Sequence, residues 1–77
     1  MPAYSIHHLR RLRLDIGQNI HRLRLARRMP LAKLAALSGV SEAMLDAYEL
    51  GKYEIGLREL LKIAYALEVE WGAVVKV

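Results

Sequence analysis

The chain contains no cysteine, no phenylalanine and only two prolines in 77 residues. Without cysteine there is neither a disulfide nor a thiolate metal site to staple a small fold. Stability must then come from packing, helped by assembly of subunits. Acid is scarce at one end. Residues 1–33 carry eight basic side chains and a single acid, Asp15, whereas residues 34–77 carry four bases and seven acids. No apolar run approaches the ~20 residues that span a bilayer. No long apolar stretch marks a secretory signal, so the expectation is a cytoplasmic chain without a membrane partner. What the sequence does have is apolar side chain, 55% of its residues. That argues against a disordered chain, and at this length it allows one domain with one core.

The net charge of +4 is therefore the sum of a basic N-terminal half and a mildly acidic remainder. A basic half attracts polyanions, nucleic acid first among them. Arg10, Arg11 and Arg13 lie in a basic extension over residues 1–15, whose first fourteen residues hold no acid. As a mobile arm they would follow phosphates or enter an A·T-rich minor groove.

From residue 16 onward the chain is organised by apolar periodicity. Ile16, Ile20 and Leu23 mark one face of an amphipathic helix, whose next 4-3-4 step falls on Arg27. Asp15 is placed to cap its start, and Pro30 either stops it or opens the next helix. A short helix is expected over residues 31–37, with Leu34 and Ala35 inward. Gly39 then supplies a positive φ in a tight turn. Ser41 is a suitable N-cap for a third helix over residues 42–50, with Leu45 and Tyr48 in the core and Gly51 at its end. A fourth, over residues 57–67, shows Leu57, Leu60, Leu61, Ala64 and Leu67 as its apolar pattern, widened by Ile63. Two segments stay open. "LRLDI" alternates like a strand, yet Ile6, Leu9, Leu12 and Ile16 also fit a helix. The tail around Trp71 reads as a helical turn or, through Val74, Val75 and Val77, as a short strand.

"IGQNIHRLRLARRM", "LAKLAALSGVS", "LDAYELGKYE" and "LRELLKIAYALEV", in that order, resemble the phage-repressor (Cro and lambda-repressor, or Xre) helix-turn-helix family. The positions that carry the resemblance are Leu23-Arg24, Leu34-Ala35, Gly39-Val40-Ser41, Leu45, Glu49, Gly51, Ile63-Ala64 and Leu67. It implies an all-α bundle of four to five short helices within residues 16–77, with room for a short strand at either terminus. It implies a structural ion pair between Arg24 and Glu49. It also implies a regulator that binds double-stranded DNA, as a homodimer, through the third helix.

On that resemblance the base-facing positions are Glu42, Ala43, Met44, Asp46 and Ala47. None is the Arg, Lys, Gln or Asn that usually donates to base edges. Glu42 suits a cytosine amine, and the apolar side chains suit a thymine methyl. Asp46 faces only repulsion from phosphate. Ser41, Lys33, Lys52 and Arg58 are the candidate phosphate contacts, joined by Arg10, Arg11 and Arg13. Leu31, Met44 and Leu50 make an exposed apolar set. They support a second reading, a helix-turn-helix scaffold turned to protein contacts in the manner of an antitoxin or co-regulator. His7, His8 and His21 lack cysteine or carboxylate partners at ligand spacing, so no metal is expected. No phosphate-binding glycine loop or nucleophile constellation suggests an enzyme, a cofactor or a small-molecule ligand.

Overall fold

Leu9, Leu12, Ile16, Ile20 and Leu23 recur at spacings of three and four, and that stripe sustains a single helix, α1, from Ile6 to Ala26. The structure, a computed structural model, describes residues 6–76. The alternation of "LRLDI" is overridden, because the same residues also carry the helical period. Asp15 is not a cap. It lies in mid-helix, where its carboxylate meets Arg11 one turn earlier at 3.5 Å. The helix runs unbroken past residue 15, where the sequence pattern divided extension from domain. Residues 1–5 of that extension fall outside the described residues.

Four shorter helices follow: α2 (Leu31–Ser38), α3 (Glu42–Glu49), α4 (Leu57–Ala66) and α5 (Trp71–Val75). Pro30 takes the N-cap position of α2 with extended backbone, as its fixed φ allows. The tail is helical. Val74 and Val75 lie in α5, no strand occurs among the described residues, and Val77 falls outside them.

Helices α1, α3 and α4 end alike. Each places one residue at positive φ: Arg28 (51°), Gly51 (72°) and Glu68 (58°). The two N–H groups just past the helix then turn back onto its last carbonyls. Met29 bonds to Arg24 and Arg28 to Leu25; Lys52 to Ala47 and Gly51 to Tyr48; Val69 to Ala64 and Glu68 to Tyr65. This Schellman arrangement satisfies carbonyls that would otherwise be orphaned. Only one of the three uses glycine, so only one was visible in the sequence.

The helices close around Ile20, Leu34, Leu45, Ile63, Leu67 and Val74, all fully buried. Such a side chain contributes about 1.5–3 kcal/mol on leaving water. Helix α1 packs on α3 and α5, α2 on α3 and α4, and α4 on α5. Asn19 ties the C-terminus down by donating to the carbonyls of Val74 (2.9 Å) and Lys76. The apolar pattern on α4 is wider than what is covered. Leu60, Ile63, Ala64 and Leu67 are buried, but Leu57 is 69% and Leu61 46% exposed, because α2 and α5 cover only one side of that face. Among the described residues no helix is long and apolar enough to cross a membrane.

Candidate nucleic-acid interface

Two helices joined by "GVS" form the unit of interest. Gly39 adopts φ 75°, and its N–H caps α2 on the carbonyl of Ala35. Val40 turns inward, and its N–H donates to the buried Ser38 hydroxyl (3.2 Å). Ser41 then starts α3, its Oγ accepting from the Met44 N–H at 3.2 Å. That bond uses a lone pair and leaves the exposed hydroxyl's own proton free to donate outward. Leu45 and Tyr48 seat α3 on the core, as their helical spacing leads one to expect.

The bearing of α3 is set by α1. Gly17 is buried on α1 where the two backbones nearly touch. A Cβ there would lie 2.3 Å from the carbonyl oxygen of Tyr48 and 2.7 Å from that of Glu49. Two turns on, Arg24 reaches across. Its Nε and Nη2 donate to the two carboxylate oxygens of Glu49 at 2.7 and 3.0 Å, and its Nη1 donates to the carbonyl of Met29 at 2.9 Å. The expected ion pair is therefore present, forked and mostly buried, with side-chain exposures of 12% and 7%. His21 is a third member that the sequence pattern alone did not include. Its Nδ1 lies 2.8 Å from Glu49 Oε1 and 3.3 Å from Arg24 Nη2. The signal was available, since His21 precedes Arg24 by three residues on the same helix face. Burial alone would push the Glu49 carboxyl up. The hydrogen bonds and charges of Arg24 and His21 outweigh it and hold the carboxyl below its ordinary value. The Glu49 hydrogen bond raises the Arg24 guanidinium, against the opposing effect of burial. A pair satisfied in this way fixes geometry, whereas either charge alone would be costly there.

Glu42, Ala43, Met44 and Asp46 are all exposed, as expected of base-facing positions. Ala47 is a correction. It is only 8% exposed, and its carbonyl accepts from the Lys52 N–H (2.9 Å) where the chain reverses at Gly51. Its methyl is not available to a base. Leu31 is also corrected: it is half-buried against the core, so the exposed apolar set shrinks to Met44 (37%) and Leu50 (53%). Lys33 is exposed on α2 itself, and Lys52 and Arg58 are exposed after α3 in the chain. Arg10 and Arg11 are exposed on a helix rather than on an unstructured arm, and Arg13 is half-buried, its Nε donating to the Gly51 carbonyl (3.4 Å).

Comparison with known proteins agrees with this geometry. The helix-turn-helix family HTH_3 matches residues 20–73. The restriction-modification controller protein C.AhdI from Aeromonas hydrophila superposes with a TM-score of 0.79 at 31% identity, over 80% of this chain and 94% of that one. An HTH_3 family transcriptional regulator from Vibrio cholerae superposes with a TM-score of 0.83 at 33% identity, over 86% of this chain and 37% of that one. No curated protein matches the chain.

Proposed function

The chain belongs to the HTH_3 helix-turn-helix family of DNA-binding transcription regulators, and we propose that it works as a cytoplasmic homodimer whose α3 helices enter the major groove. One observation carries the reading: α3 is clamped to α1 by the Arg24–Glu49 fork while Glu42, Ala43, Met44 and Asp46 stand clear on its surface. Glu42 accepts from a cytosine amine, and Ala43 and Met44 touch thymine methyls. Ser41 donates its hydroxyl proton to a phosphate, and Lys33, Lys52 and Arg58 supply charge to the backbone. Asp46 works against affinity, which makes base reading weak and shifts the burden to backbone contacts and to pairing of subunits.

Pairing is required because one module of this size buries too little surface for tight binding. A second copy suits the stripe Leu57, Leu61 and Tyr65, which recurs every four residues along α4 and is 69%, 46% and 85% exposed. A two-fold pair sets its α3 helices about one duplex turn apart. Selection from random duplexes at about physiological salt, followed by sequencing, tests the proposal. An enriched palindrome with that spacing supports it, and Tyr65→Asp should abolish both the dimer and the palindrome. Met44 and Leu50 favour the protein-contact reading. That reading takes over if no duplex binds at low salt and a partner is lost on Met44→Asp.

A further inference from the structure

The first half of α1 lies outside the family match, which begins at residue 20. Its position is nevertheless fixed by contacts along one side. Gly17 meets the carbonyls of Tyr48 and Glu49, and Leu14 packs on Gly51, where an added Cβ would lie 2.7 Å from Leu14 Cδ2. Arg13 Nε donates to the Gly51 carbonyl. Leu9, Leu12 and Arg13 then line a cleft of about 160 Å³ with Tyr53, Glu54 and Ile55. The helix therefore runs on beyond the C-terminal end of α3 and alongside the connection that carries Lys52.

Arg10 precedes Arg13, Leu14 and Gly17 by three, four and seven residues, so it shares their side of the helix. It is exposed, with no hydrogen bond or ion pair among the described residues. Arg11 points elsewhere, toward Asp15, and Arg13 shares its cleft with Glu54, whose carboxylate repels a phosphate there. We propose that Arg10 is a DNA-backbone contact, extending past the end of α3 the phosphate row that Lys52 begins. The inference rests on the DNA-binding reading above. A helix presents the Arg10 backbone already ordered, so on contact only side-chain freedom is lost.

The test is the salt dependence of the full chain's affinity for a mixed-sequence duplex, measured by fluorescence anisotropy. Arg10→Gln should lower the slope of log K against log salt by about 0.9 per protomer, and Arg10→Lys should restore it. Arg22→Ala removes the same charge from the side of α1 that faces α5, where Arg22 bonds to Asn19, and should leave the slope nearly unchanged. Circular dichroism should report the same helix content in all three variants. Equal slopes for Arg10→Gln and Arg22→Ala, with Lys52→Ala still lowering the slope, overturn this inference and spare the DNA-binding reading. A wild-type chain that binds no duplex at any salt overturns both.

Discussion

Gly17→Ala is a demanding test of the architecture, because local and tertiary physics predict opposite signs. In an isolated helix, alanine is better than glycine by about 0.8–1 kcal/mol. Here the new methyl would sit 2.3 Å from one backbone oxygen and 2.7 Å from another. Neither oxygen can rotate away as a side chain would, so α1 and α3 must part, by about 0.7 Å to bring the nearer contact out to 3.0 Å. Overpacking of this kind costs about 1–3 kcal/mol, occasionally more, and backbone-on-backbone contact belongs at the upper end. Less the helical gain, the net loss should be about 2 kcal/mol, or about 8–16 °C in Tm for a domain of this size. The natural control is Gly72→Ala in α5, where nothing lies within 4 Å of the new Cβ. That substitution should raise stability by up to about 1 kcal/mol. Thermal unfolding followed by circular dichroism decides the matter. A Gly17→Ala protein as stable as wild type would refute the claim that close approach of α1 and α3 sets the bearing of α3.

Arg24→Ala should cost about 3 kcal/mol in urea unfolding, since it strands a nearly buried carboxylate, whereas Arg24→Met combined with Glu49→Met should recover most of that loss. The Glu49 carboxyl is held below its ordinary value of 4.5, so its contribution is fully present above that pH and is lost as pH falls below it. Urea midpoints between pH 7 and pH 3 should fall for wild type and show a shallower dependence for Glu49→Gln. Asp46→Asn removes an exposed charge repelled by phosphate and should tighten duplex binding several-fold at low salt in a titration; weaker binding would count against α3 facing DNA. Ser41→Ala deletes the cap of α3 and should cost about 1 kcal/mol of stability.

The helix-turn-helix frame was legible because its determinants are local. Gly39 needs its positive φ, Ser41 caps the helix that begins after it, and Leu45 and Tyr48 repeat at helical spacing. What was obscured depended on distant parts of the chain. Asp15 looks like a cap until Arg11 is seen to engage it and the helix is seen to begin nine residues earlier. Gly17 looks like a flaw in a helix, since only the carbonyls of α3, some thirty residues on, explain it. Ala47 and Leu31 face the solvent side on a helical projection, but tertiary packing buries the first and the core takes in part of the second. The broad apolar face of α4 gave no sign of which edge, Leu57–Leu61 or Leu60–Ile63, would be covered. Of the candidate interface, then, the exposed positions of α3 were readable. The rigid course of Arg10 was not, because residues 6–15 alternate as readily as they coil.

The Arg24 guanidinium joins three pieces of chain at once: its own helix α1, the turn at Met29 that leads into α2, and Glu49 at the end of α3. If α3 is the DNA-reading helix proposed above, a head braced in this way does not swivel to suit an imperfect site. In the proposed two-fold pair on DNA, any mismatch between the subunits' separation and the half-site spacing would then be absorbed by twist and bend of the duplex. Base pairs that no side chain touches, in the centre of the site, would affect affinity through their stiffness.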